Sequence, residues 1–579
     1  MRACLLALLL FFPLCSNIWA STNSHFVRGE YEAAEKAGRK ELHAKQQRYG
    51  SRHAAVAAAH HTLSLVLDAQ GSYVEASHHA VAALRIAEET MGTNSKNVAA
   101  VLTTVGSIEL GLGRTKSAET VCLRAMNILK RLKKGQEQKI ARLLQVMAQI
   151  RVAQCRFKEA EKLCNQALII RKKAKYNKDM LICSLNGCLA TALAGLGKFA
   201  EAEKLCHLSL ESAKKSFGEK HPVLMPVLGA LCQIKLELES YKEIYPLFKK
   251  QRHIAAKALG KSKPPILLAW PVIVETAARI SAYRDAKRLA SEGEDTLKRF
   301  CGQASPILGR LLQARGLLTQ YLDNIQGALS MAQSAQSIAL QAFGPNHPDV
   351  WHARSLISKF SPTEPAQKVT THRAVLSVME RVYGVNHPVC ARAQYDLASL
   401  LIRLKDKKAK DEAKRLLAAV RKTMMKASGK KTSTVARVLT KEAQILMNEG
   451  ELIAAEKYLR GALFISHRNF GPTAFYSISI RSLISTVHSK RNLFSDSANE
   501  MEKVVELSEK LLGKKHGSVL LFKSELSALY AALGRTRKQI AMLKEIYPLL
   551  KNRYGPQDPL VIRAEKTLRA LTKKRKQMR

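Results

Sequence analysis

What this chain lacks narrows its class before anything it contains. Only 6% of its 579 residues are aromatic, too few to interleave rings with basic residues as a base-stacking surface requires. No apolar run beyond the N-terminus reaches the roughly 18 residues of a membrane span; the best, PPILLAWPVIV at 264–274, stops short. Acidic residues are scarce, with 47 Asp and Glu against 94 Lys and Arg. No GxSxG, HExxH or strand–GxGxxG–helix motif occurs, and GKKT at 429–432 lacks the upstream glycine of a phosphate loop. No CxxC or other metal-type cysteine spacing is present. These absences exclude the common motif-bearing enzyme classes, so a non-enzymatic protein with no cofactor and no small-molecule substrate is expected.

What is present is apolar enough to fold, at 46% hydrophobic residues, and strongly basic, with a net charge of +47. Such a balance favours acidic partners, nucleic acid or anionic surfaces without dictating a fold. The opening MRACLLALLLFFPLCSNIWA reads as a secretory signal, with one basic residue, a short apolar core and cleavage near Ala20. The mature protein is expected to be exported, periplasmic or secreted, and not membrane-spanning; the alternative, if that opening is not a signal, is a cytoplasmic protein. Nine cysteines then remain, an odd number.

The dominant feature is a ruler of 42 residues. From Tyr31 it strikes Tyr73, Thr115, Phe157, Phe199, Tyr241, Tyr283 and Ile325, with a small residue three places later at Ala34, Ala76, Ala118, Ala160, Ala202 and Ala286. FKEAEKLCNQAL at 157–168 and FAEAEKLCHLSL at 199–210 share eight of 12 positions. Within each unit, apolar residues recur at three- and four-residue steps, which predicts two helices, A and B, separated by a short turn. Units are joined by Gly-x-x-His-Pro cassettes such as GEKHPVL at 218–224, GPNHPDV at 344–350 and GVNHPVC at 384–390. The glycine suits a left-handed cap after helix B, and the proline suits the first turn of the next helix A. The joint histidines His221, His347 and His387 are expected to be cap or turn residues rather than metal ligands.

Period, helix pair, aromatic opening of helix B, the Ala-Glu of EAEKLC and the joint together resemble the tetratricopeptide repeat, in the 42-residue form of kinesin light chains. The resemblance spans about residues 22–559. It implies an all-α, right-handed superhelical solenoid of about a dozen helix pairs, with helix A lining the concave groove and helix B the outer face. It also implies a scaffold binding a partner's peptide or helix in that groove. Candidate groove residues on helix A are Asn186, Gln233, Gln313, Gln394, Tyr395 and Lys441.

The expected organisation is a signal at 1–20, an incomplete first repeat at 21–53 and an N-terminal array at 54–348. Irregular repeats at 349–432 follow, where SPTEP at 361–365 and a stretched interval predict a kink. A C-terminal array at 433–559 and a capping helix at 560–579, fraying into KKRKQMR, complete the chain. Basic residues concentrate on helix B, so the alternative to a groove binder is a basic exterior that holds an anionic polymer: nucleic acid, lipopolysaccharide or an acidic membrane surface. Two further constellations stand out. His60 and His61 on one helix A and His78 and His79 on its helix B could meet across the hairpin as a zinc or copper site. Cys188 and Cys206, symmetric about the turn at Gly197, could form a disulfide. Cys122, Cys164 and Cys206 share one repeat position and read as small buried residues.

Overall fold

The structure is a computed structural model. It describes residues 18–132, 135–173, 180–259, 269–404 and 406–577; most of the expected export signal lies outside them. Among the described residues there are 27 α-helices and no strand, numbered here α1–α27 so that odd helices are A and even helices B. The first described pair is α1 (Ile18–Val27) and α2 (Tyr31–Tyr49). The last, α27 (Pro559–Gln577), caps the array and stays helical to Gln577, beyond the point where fraying was expected. No described helix is long and apolar enough to cross a membrane.

The ruler marks the core. Ala34, Ala76, Ala118, Ala160, Ala202 and Ala286 are fully buried, as are Cys122, Cys164 and Cys206. The ring that opens helix B packs on the next helix A: a Cβ at Gly195 would come within 2.5 Å of the Phe157 ring. That close approach is why glycine stands there.

The two ends of helix A are built differently. Its start is capped by a side chain: Ser95 accepts from the Val98 N–H and Thr432 from the Val435 N–H. Its end is a Schellman closure, as where the Arg114 N–H reaches the Glu109 carbonyl at 2.8 Å and the Lys198 N–H the Leu193 carbonyl at 2.9 Å. The joint glycines depart from the left-handed cap expected of them. Gly218 sits at φ 91°, ψ 164° and Gly344 at φ 84°, ψ 176°, a region that essentially glycine alone populates.

Around SPTEP the chain makes a tight turn between α17 (Pro348–Phe360) and α18 (Pro365–Tyr383). Both prolines are absorbed at helix edges, where the missing N–H costs little. The helices on either side continue to pack, α16 (Ile325–Phe343) on α17, α17 on α18, and α18 on α19 (Pro388–Leu401).

A solenoid of this kind is expected to touch only its sequence neighbours. This one also touches itself at a distance. Hydrogen bonds recur between residues 193 to 195 apart, so about 4.6 of the 42-residue units complete one superhelical turn and successive turns pack on each other.

Candidate functional site

The joint histidines build the seam between turns. His387 receives the Val389 N–H on Nδ1 at 3.1 Å, capping α19, and its Nε2 lies 3.0 Å from the Ala194 carbonyl at the end of α9 (Met180–Gly195), one turn below. His221 repeats this with Val223 and Val27, at 3.1 Å each. His347 repeats it with Asp349 at 3.2 Å and Ala153 at 2.9 Å. His516 does so with Ser518 at 3.2 Å and Tyr321 at 3.1 Å. Because Nδ1 accepts, the proton sits on Nε2 and is donated to the carbonyl, which fixes one neutral tautomer. Burial holds His221, His347 and His387 below the usual imidazole range. An aromatic ring four residues earlier covers each of these three imidazoles: Phe217 at 5.1 Å, Phe343 at 4.0 Å and Tyr383 at 5.0 Å. The expected cap is therefore present and carries a second bond that the sequence pattern did not reveal.

The lower side of the seam explains a backbone oddity. Helix A ends at a position of positive φ, usually glycine, but Cys155, Glu239, Ser281 and Asp323 adopt φ 58° to 68° there. Each of the four reaches across the seam. Glu239 accepts from Ser433 Oγ and the Thr434 N–H at 2.7 Å each and from Thr434 Oγ1 at 2.5 Å. Ser281 Oγ receives the Phe475 N–H at 3.0 Å, Asp323 receives the Gly517 N–H at 2.9 Å, and Cys155 Sγ lies 3.4 Å from His347 Nε2. At Gly29, Gly113 and Gly197 a ring from the turn above lies on the glycine: a Cβ at Gly113 would come within 2.3 Å of Pro306.

Closing the turns on one another encloses a channel along the superhelix axis, with a cavity of about 2670 Å³ lined mainly by helices A. Of the groove candidates, Gln233, Gln313 and Tyr395 line it. Gln313 is spent on the Asp349 carbonyl at 3.1 Å. Asn186 instead faces helix B, where it donates to Ser209 at 3.3 Å. Gln394 is buried at 4% exposure. Lys441 bonds Gln444 at 3.0 Å, and its ammonium is pushed down to about 8 by burial and then by Arg403 and Arg437.

The residues that stand out in the channel are ones the sequence reading passed over. Ten lysines and arginines and five acids line it. Four of the acids are each met by an arginine: Asp68 by Arg142 at 3.8 Å, Asp349 by Arg310 at 2.8 Å, Glu275 by Arg279 at 2.6 Å, and Glu237 by Arg392. Arg437, on α21 (Ser433–Glu449), meets no carboxylate among the described residues and lies over the Tyr395 ring at 5.6 Å. The Tyr321 phenol sits beside it. Burial alone would raise that phenol's pKa, yet Arg437, Lys359 and Arg279 together hold it below the usual tyrosine range. Helix A carries so few charges that each one on it was a signal, which the attention given to basic helix B obscured.

The histidine and cysteine constellations assemble differently from expectation. His60 and His79 do meet across the hairpin, Nδ1 to Nδ1 at 3.0 Å. His61 turns away to Thr104 Oγ1 at 2.9 Å, and His78 is exposed. Adjacent helical positions point in different directions, and no group of three or more metal-ligating side chains forms among the described residues. Cys188 and Cys206 are both free; the thiol that Cys188 contacts is Cys164, on the preceding helix pair. Burial pushes the thiols of Cys122, Cys155 and Cys206 up to about 12.

Comparison with known proteins follows this geometry. The family model of the tetratricopeptide repeat matches residues 187–223. A clustered mitochondria protein homolog from Coccidioides immitis (strain RS) is 24% identical over 198 residues, 34% of this chain, and the match spans only 15% of that protein's length. A chain of the APC/C hetero-tetramer Cut9–Hcn1 aligns over 94% of this chain and 96% of its own, at 11% identity and a TM-score of 0.47. Kinesin-light-chain TPR-like repeats from Podosopora anserina align over 43% of this chain and 96% of their own, at 14% identity and a TM-score of 0.21. The matched unit is a tetratricopeptide repeat, and the recurrence of its helix pair among the described residues supports a tetratricopeptide-repeat protein.

Proposed function

We propose that this protein is a non-enzymatic scaffold, working outside the cytoplasm, that holds a segment of a partner protein inside its channel. The observation that supports this is the channel itself. Its volume of about 2670 Å³ is well beyond the roughly 300–1,000 Å³ of a small-molecule pocket, and its wall mixes apolar side chains with matched ion pairs. A preformed concave surface of this kind suits an extended or helical segment. The export expectation rests on the N-terminal apolar run.

The test is a pull-down from the native cells with residues 21–579, washed in parallel at low and moderate salt. A defined protein retained at both salts is the expected outcome. Retention of nucleic acid or glycolipid alone, lost at moderate salt through counterion release, would replace this reading with the basic exterior. Recovery of the native chain in the cytosolic fraction with residues 1–20 intact would overturn the compartment.

A further inference from the structure

A pair of histidines lies apart from both the channel and the seam. His60 stands in the middle of α3 (Ala54–Ala69) and His79 in the middle of α4 (Tyr73–Met91). Neither lines the channel. The two helices pack on each other, and Ala57, Ala59, Ala76, Ala80 and Ala83 all belong to one buried cluster. Side chains this small let the backbones approach, so two short imidazoles meet across the hairpin. His60 Nδ1 and His79 Nδ1 are 3.0 Å apart, with ring centroids 5.2 Å apart and the planes tilted by 35°. One of these nitrogens therefore donates its proton to the lone pair of the other. Both rings are half-buried, within reach of solvent.

The separation decides which ion would take the place of that proton. Two imidazole nitrogens lying 3.0 Å apart, each about 2.0–2.1 Å from one metal ion, subtend roughly 90–97° at it. A tetrahedral ion, at about 109°, would hold them about 3.3–3.4 Å apart. Near-right angles between nitrogen ligands belong to the tetragonal field of Cu(II) or Ni(II), and Cu(II) is the tighter binder of the two. Burial keeps both imidazoles below their usual range, so at neutral pH each ring holds one proton and has one lone pair to give. Beside the pair, Glu75 stands one turn before His79 and is met by Arg39 at 2.5 Å, so these two charges cancel.

We infer that His60 and His79 form a bidentate site for one Cu(II) ion, each giving Nδ1 to adjacent corners of a square whose other corners are held by water. Binding needs no redox step. The proton on one Nδ1 moves to Nε2 of the same ring, and both Nδ1 lone pairs then face the ion. No third metal-ligating side chain joins them among the described residues, so the ion keeps open, exchangeable positions. His61 and His78 stay outside the site, one bonded to Thr104 and the other exposed. The site stands whether or not a partner occupies the channel.

The test uses the chain from residue 21 onward and copper(II) sulfate alone, in a buffer without amine or carboxylate ligands. Titration calorimetry should give one tight copper per chain, and electron paramagnetic resonance a tetragonal spectrum coupled to two ring nitrogens. His60→Gln and His79→Gln should each weaken binding at least about tenfold, because the loss of an outer-shell partner alone costs about 10–100-fold. His78→Gln, at an exposed position, should bind as the wild type does. Circular dichroism melts without metal establish that each variant is folded; should one fail to fold, the nitrogen coupling in the wild-type spectrum decides. Undiminished binding in His60→Gln, an equal loss in His78→Gln, a spectrum of sulfur ligation, or zinc held as tightly as copper would overturn the inference.

Discussion

At the scale of single residues, one imidazole performs two jobs at opposite nitrogens, and the two can be separated by mutation. His53 caps its helix through Nδ1, accepting from the Ala55 N–H at 3.1 Å, but it is exposed, with no turn below it. His387 has both the cap and the bond to Ala194. His53→Ala should cost about 1 kcal/mol, the worth of a cap. His387→Ala should cost about 2–3 kcal/mol, because it also leaves a carbonyl without its donor. Urea unfolding of the two variants checks this; equal losses would show that the seam bond contributes nothing.

The buried histidines set a pH dependence whose sign is fixed. In the folded state they are held neutral, with His60 and His61 pushed down to about 4 by burial and His221, His347 and His387 also lowered. Unfolded, each titrates near 6.5. Between those values only the unfolded chain takes up protons, so stability is fully present above about 6.5 and falls as pH drops toward 4. Thermal melts at pH 7.5, 6 and 5 should decline in that order. A melting temperature that rises on acidification would contradict the assigned tautomer. The cysteines make an independent check, since the thiols of Cys122, Cys155 and Cys206 are raised to about 12. Iodoacetamide at neutral pH should label the native chain far more slowly than the urea-unfolded one, because the thiolate is the reactive form.

At the scale of elements, the helix pair was legible in the sequence and the seam was not. Apolar spacing, the ring at the start of helix B and the buried alanine three residues later all act within about 45 residues, which is the reach of periodicity. Cys155, Glu239, Ser281 and Asp323 look like substitutions in a glycine column until the chain returns about 194 residues later. The groove candidates divide along the same line. Helix A was identified correctly, but which of its faces borders the lumen depends on how the whole coil closes, so Asn186 went to helix B while Arg437 was missed. Glu239 gives the element-level prediction. Glu239→Ala removes three acceptor contacts at the start of α21 and should speed amide exchange across Ser433–Ala436 by an order of magnitude or more, as expected when an unsatisfied donor costs about 1–3 kcal/mol. Unchanged exchange there would mean that α21 is held by its neighbours alone.

At the scale of the whole molecule, the coil is a closed object built from parts that usually make open ones. Its long-range bonds run turn to turn at the joints and also between helices B: Thr115 Oγ1 reaches the Ala342 carbonyl at 2.6 Å, and Lys242 Nζ the Arg468 carbonyl at 2.6 Å. Protonating the seam histidines should loosen turns before it melts helices. Small-angle scattering on acidification should therefore show an increased radius of gyration while the far-ultraviolet dichroism is still native.

The period of about 4.6 units per turn also has an evolutionary meaning. In an open array a unit can be duplicated or lost at little cost, because each one recognises only the unit before it. Here, removing a 42-residue unit between residues 239 and 306 would slide the joints above it onto the wrong ledge: Pro306 would no longer stand over Gly113, nor Ser433 and Thr434 over Glu239. Copy number, the easiest thing to change in such proteins, is in this one tied to the stacking of turns, and descendants should vary in side chains rather than in the count of repeats.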